Sequence, residues 1–227
     1  MSNLTPEQEQ AQIQVLDTKR VYDGKLFKVD VEDVRLPSGR TSKREIVRHP
    51  GAVALMVIDP DGQLLLVRQY RRATDQVLLE IPAGTREPNE DAEACARREV
   101  QEETGFAAGT VEHLGGFYSA PGFCTEYLEC YLCTDLRPGE LQPEEDEDLQ
   151  LERLSLDDAW AAAAAGQITD AKTLAGLLLY AARHPEARPR ARFCRPAAIR
   201  AGWIKHLCIQ GGSLACPSLS CLSMTAA

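Results

Sequence analysis

The segment from Gly84 to Phe106, GTREPNEDAEACARREVQEETGF, carries seven carboxylates: Glu87, Glu90, Asp91, Glu93, Glu99, Glu102 and Glu103. On a helix, Glu99 and Glu103 are four apart and share a face, and Glu102, three from Glu99, lies beside them. Like charges at that spacing repel by roughly a few tenths of a kcal/mol. Grouping them suits a hard divalent cation, because Mg²⁺ takes oxygen ligands and shares its shell with waters and substrate phosphates. The chemistry open to such a group is metal-assisted attack on a phosphate. Taken alone, REVQEE favours a solvated acidic helix face.

The surrounding elements must position these acids. Residues 91–104 are rich in helix formers, and Gly105 supplies a stop. Upstream, KLFKVDVEDVRLPSGRTSKREIVRHP alternates apolar and polar residues around Pro-Ser-Gly and predicts a hairpin. GAVALMVIDPDGQLLLVRQYR predicts two strands joined at DPDG, and QVLLEIPAG a further short strand. VEHLGGFYSAPGF and EYLECYLCTDL read as strands. PEEDEDLQLERLSLDDAWAAAAAG reads as an acidic loop, a strand and a helix, and DAKTLAGLLLYAARH as a last helix. Residues 1–20 are a polar start in which a short helix is expected. The pattern predicts an α/β or α+β sandwich.

The spacing runs from Gly84 through five residues to Glu90, then seven residues to Arg98-Glu99-Val100-Gln101-Glu102-Glu103-Thr104-Gly105-Phe106. It meets every fixed position of Gx5Ex7REUxEExGU, where U is apolar, and on those residues the chain resembles the Nudix hydrolases. The resemblance implies an α/β/α sandwich around a mixed β-sheet, with an N-terminal β-strand region. It implies Mg²⁺ or Mn²⁺, two or three ions per site, held by Glu99 and Glu103 with Glu102 assisting and the Ala83 carbonyl completing the shell. Gly84, Glu90, Arg98 and Gly105 match positions that are chiefly structural.

Across roughly residues 20–185 the chain looks most like the ADP-ribose pyrophosphatase branch. RQYR (Arg68 to Arg71) precedes LLEIPAG, and Pro121 lies 16 residues after Gly105. The resemblance implies hydrolysis of ADP-ribose to AMP and ribose 5-phosphate. By position Arg71 matches a diphosphate contact, Glu45 an adenine-recognising acid and Glu126 an acid near the terminal ribose. Leu26 and Phe27 match either an adenine-site segment or part of a dimer core. The catalytic base stays open between Glu102, Glu145 and Glu147. Another nucleoside diphosphate sugar, such as GDP-mannose or ADP-glucose, is the alternative substrate, and a non-catalytic ADP-ribose-binding regulator the alternative class. A homodimer is implied.

The whole chain of 227 residues carries a net charge of -9, which argues against a nucleic-acid or anionic-membrane partner. The polar start lacks an apolar h-region, and no apolar run approaches the roughly 20 residues of a membrane span, so a cytoplasmic protein is expected. Cys130 and Cys133 form a CxxC, open to a zinc or redox reading. On a strand, residues three apart face opposite sides, which favours two packed thiols. No Asp or Glu follows Glu186, while those 41 residues carry five Arg, one Lys and four Cys. The expected organisation is 1–45 as a dimer-forming strand region, 46–186 as the hydrolase domain and 187–227 as a poorly ordered basic tail.

Overall fold

The computed structural model describes residues 13–139 and 149–188. Strands β1 (Gln14–Asp23), β2 (Lys28–Arg35) and β3 (Thr41–Arg48) form an antiparallel sheet in that order. The β2–β3 hairpin turns at Gly39, whose φ of 80° is open to glycine and strained for other residues. Leu36 donates its N–H to the Arg40 carbonyl at 2.8 Å and closes the turn. Within the polar start, residues 14–20 are strand rather than helix. Val15, Thr18 and Val21 are β-branched, and pairing with β2 from Gln14↔Arg35 to Asp23↔Lys28 outweighs a weak local helix preference. Residues 1–12 lie outside the described residues.

Period-two alternation gives this sheet two unlike faces. Asp30 and Glu32 are buried on one, beneath Arg20 and Arg48. Arg20 pulls the Asp30 carboxyl below its ordinary range, and Arg48 adds to this. On the other face Val21, Val29, Val31, Glu45 and Val47 line a groove with Phe123. The two sheets join at Val47, which donates to the Phe123 carbonyl at 2.8 Å and accepts from the Thr125 N–H at 2.9 Å.

The second sheet has seven strands: β4 (Ala52–Ile58), β5 (Gln63–Arg71), β6 (Gln76–Glu80), β7 (Ala83–Thr85), β8 (Phe106–Tyr118), β9 (Tyr127–Pro138) and β10 (Gln150–Ser155). Its main order is β10–β5–β4–β9–β8, with β6 on β5 and β7 on β4. The pairing of β4 with β9 is parallel and the other strand pairs are antiparallel, so the sheet is mixed. Among the described residues the α-helices are α1 (Ala92–Thr104), between β7 and β8, and α2 (Leu156–Ala164) and α3 (Ala171–Arg183), after β10.

Strand β4 shows why this is a sandwich. Ala52, Ala54 and Met56 pack with Leu64, Leu66, Ile81 and Leu177 on the side of α2 and α3. Val53, Leu55 and Val57 pack with Ala96, Val100 and Tyr131 on the side of α1. A strand covered on both faces reads as a continuous apolar run, as AVALMVI does. Each fully buried Leu or Ile side chain contributes about 2 kcal/mol. Cys130 belongs to the first layer and Cys133 to the second, so the sheet separates the two thiols. Both are free, and burial pushes each up to about 12.

Among the described residues no helix is long and apolar enough to cross a membrane. From 189 onward the tail lies outside the described residues, while Ala187 is buried and Arg188 donates to the Ala181 carbonyl at 3.2 Å.

Candidate active site

Helix α1 begins and ends where its own residues dictate. Asp91 caps it, its carboxylate accepting from the backbone N–H groups of Glu93 at 2.9 Å and Ala94 at 3.4 Å. Such a cap contributes about 1 kcal/mol. Gly105 closes the helix with a φ of 72° and donates to the Gln101 carbonyl at 2.9 Å.

Arg98 organises the acids along the helix. Its Nε and Nη2 donate to the two oxygens of Glu90 at 2.9 and 3.0 Å. Its Nη1 donates to Glu99 Oε1 and Glu102 Oε2, each at 2.7 Å. Glu90 also accepts the Glu87 N–H at 2.9 Å and so ties the preceding loop to the helix. The Arg98 hydrogen bonds, helped by that backbone bond and opposed by burial, hold the Glu90 carboxyl down to about 2. Arg98 itself is raised well above its ordinary value, chiefly by Glu90. One guanidinium thus offsets the mutual repulsion of three carboxylates.

Strand β7 lies directly on this acidic face. A Cβ built on Gly84 would sit 1.8 Å from the Glu99 Cδ and Oε1, so only glycine admits the carboxylate there. The Ala83 N–H donates to Glu103 Oε1 at 3.4 Å. Glu99 and Glu103 are 8% and 7% exposed, which puts their charge in a low-dielectric setting rather than on a solvated face. The donors are all carboxylate and carbonyl oxygens, the hard set that suits a Mg²⁺-like ion. Among the described residues no three His, Cys, Asp or Glu side chains are grouped so as to hold a metal ion by themselves.

Arg71 ends β5 beside these acids. Its Nε and Nη2 donate to the two oxygens of Glu80 at 3.0 and 2.7 Å. Those bonds raise its pKa against burial, and the charges of Glu80, Glu103 and Asp170 raise it further. Lys172 also donates to Glu80 and pairs with Asp170 at 3.1 Å. Burial pushes the Glu80 carboxyl up, and Arg71 and Lys172 more than reverse this, leaving it below its ordinary value. Neither Glu80 nor Lys172 is picked out by sequence reasoning. For Glu80 the available signal was an acid inside the apolar run VLLEIP; for Lys172 there was none.

The remaining candidates fall into two groups. Glu45 lies in the groove of about 310 Å³ with Val21, Val29, Val31, Val47 and Phe123. Glu126 follows the segment that bridges to β3, and its carboxylate lies 3.6 Å from His49 Nδ1. Leu26 and Phe27, in the β1–β2 turn, are 54% and 37% exposed and are not among the residues lining the groove. Glu145 and Glu147 lie outside the described residues.

Two family models cover this architecture. The NUDIX domain matches residues 47–177, and the nucleoside diphosphate sugar hydrolase N-terminal domain matches residues 13–47. The chain is 39% identical over 157 residues to the ADP-ribose pyrophosphatase of Bacillus subtilis (strain 168), covering 68% of this chain and 85% of that protein. It is 40% identical over 161 residues to the methanol dehydrogenase activator of Bacillus methanolicus, covering 70% of this chain and 87% of that protein. A crystal structure of an ADP compounds hydrolase superposes with a TM-score of 0.69 at 25% identity, covering 77% of this chain and 95% of that one.

Proposed function

This chain belongs to the Nudix hydrolases, a divalent-metal family, and we propose that it hydrolyses the diphosphate of ADP-ribose to AMP and ribose 5-phosphate. The observation that carries the chemistry is the seating of Glu99 against Gly84 with Glu103 beside Ala83, next to the cation Arg71. The likeness to an ADP-ribose pyrophosphatase over 85% of its length supports the substrate.

The residues divide the work as follows. Glu99 and Glu103, with Glu102 and the Ala83 carbonyl, would hold Mg²⁺ or Mn²⁺, two or three ions per site, which would supply charge neutralisation at the diphosphate and a more acidic water. Arg98 and Glu90 keep the acidic face in register. Arg71 uses its Nε–Nη2 edge on Glu80, so its end-on edge serves the diphosphate. One water adds across a P–O–P bridge, and a carboxylate among Glu102, Glu145 and Glu147 takes its proton. Glu45 recognises the adenine in the groove below Phe123, and Glu126 the terminal ribose.

The N-terminal sheet supports a homodimer. Val15, Leu16, Val21 and Tyr22 on β1, and Leu26 and Phe27 in the turn after it, are exposed, and so many apolar side chains left open call for a cover. A second copy laid on the strand region 1–45 covers Leu26 and Phe27, whichever of their two roles they serve. Light scattering on the purified chain should give twice the 25.0 kDa chain mass; a monomer at micromolar concentration removes the dimer.

The substrate test is AMP release from ADP-ribose with Mg²⁺, beside GDP-mannose, ADP-glucose and NADH, on wild type and Glu103→Gln. Fast metal-dependent release from ADP-ribose that the substitution abolishes is the expected result. Preference for another sugar nucleotide would keep the chemistry and discard the substrate. Tight ADP-ribose binding without turnover of any of them would indicate a sensor.

A further inference from the structure

Glu80 ends β6 between Leu79 and Ile81, both in the core layer under α2 and α3, and is itself 1% exposed. A charge placed so deep is costly, and an apolar residue of similar volume often serves stability as well or better. The arrangement around it is directional. Glu80 takes the side-on edge of Arg71, through Nε at 3.0 Å and Nη2 at 2.7 Å. The Arg71 side chain is 40% exposed, so a buried anion holds a cation that reaches the surface.

Helix α3 in turn keeps Glu80 from moving. Lys172 bridges Glu80 and Asp170. Asp170 caps α3, accepting from the Thr173 N–H at 2.9 Å and its hydroxyl at 2.6 Å. The Thr173 hydroxyl oxygen accepts the Ile81 N–H at 2.9 Å. The residue next to Glu80 is thus pinned to the same helix turn as its second cation.

We infer that Glu80 is a positioning residue for hydrolysis: anchored by the first turn of α3, it fixes the Arg71 guanidinium so that its outer edge meets the substrate diphosphate. Arginine has a long, rotamer-rich side chain, and ordering it before substrate arrives removes that entropy loss from binding. Glu80 touches neither substrate nor metal in this role and acts only through Arg71. The inference rests on the proposed contact of Arg71 with the diphosphate.

The test is a double-substitution cycle on kcat/KM with Glu80→Gln, Arg71→Lys and the pair, with melting curves alongside. Lysine keeps a charge for Glu80 but has no second edge for the diphosphate. Each single substitution should lower kcat/KM roughly 10- to 100-fold, the range of a charged hydrogen bond, mostly through KM. The pair should be no worse than Arg71→Lys within about twofold, because Glu80 has no route to the substrate except Arg71. Losses that multiply in the pair overturn the inference, as does a Glu80→Gln enzyme that melts lower yet keeps its KM.

If Glu80→Gln is unfolded at assay temperature, Glu80→Asp replaces it in the cycle. Aspartate retains the charge and withdraws the carboxylate by one bond, about 1.5 Å, and the same outcomes decide. The cycle is read on whichever of ADP-ribose and GDP-mannose the wild type turns over, so a wrong sugar defeats the substrate reading alone. An unchanged kcat/KM in Arg71→Lys removes the Arg71 contact and Glu80's role together.

Discussion

Gly84→Ala isolates the seat of one metal-ligand candidate. Gly84 is not among the glycines with positive φ, so the alanine backbone is accommodated and the cost lies in the new methyl. That methyl would sit 1.8 Å from the Glu99 Cδ. An ordinary carbon contact needs about 3.5 Å, so the carboxylate must retreat by about 1.7 Å. Mg²⁺ holds its oxygens at about 2.1 Å in near-octahedral geometry and does not follow a ligand that far. The shift also breaks the 2.7 Å bond from Arg98 Nη1. Turnover should fall about 100-fold or more, the scale set by ångström misplacement in an active site. Overpacking should cost only about 1–2 kcal/mol, a Tm lower by roughly 2–8 °C. AMP release across a Mg²⁺ titration, at a temperature where both proteins are folded, reads the first quantity, and calorimetry the second. Activity within a few-fold of wild type at the same Mg²⁺ concentration would refute the placing of Glu99 as a ligand held against Gly84.

Glu90→Gln should cost about 1–2 kcal/mol at neutral pH, the scale of a partly screened charged hydrogen bond, since Arg98 holds the Glu90 carboxyl well below its ordinary 4.5. A depressed carboxyl stabilises fully above pH 4.5 and loses its effect as pH falls towards 2, so the Tm gap between variant and wild type should close across that window; a constant gap contradicts the pairing. Gly105→Ala forces a side chain into a φ of 72° and should lower stability by about 1 kcal/mol with turnover little changed, as read by denaturant melts. In the native protein Cys95, Cys130 and Cys133 should resist alkylation at pH 8, since burial pushes each up to about 12, whereas half-buried Cys124 should react first among these four; peptide mapping after a timed iodoacetamide pulse checks the order.

Much of this protein is legible locally. The box from Gly84 to Phe106 names its own helix, because Asp91 and Gly105 are cap residues at the right distance and the acids fall on one face. The alternation of β2 and the continuous apolar run of β4 separate a two-faced strand from one buried on both sides. The CxxC resolves itself once β9 is a strand, since period two sends Cys130 and Cys133 to different layers. These features depend on backbone periodicity and terminal hydrogen bonding, which act over a few residues.

Other features depend on partners far along the chain. Strand β1 reads as a polar start, and only its ladder with β2 makes it a strand. The role of Gly84 needs the 1.8 Å approach of Glu99, which follows from how α1 settles on β7. Glu80 and Lys172 are 92 residues apart, and no pattern in either segment points to the other. By itself the sequence determined the family and the acidic face, because spacing along one helix or strand sets which side chains share a side. Tertiary structure alone decided which cation faces Glu103 and which acid holds that cation, because burial makes an unpaired charge costly and leaves packing to choose its partner.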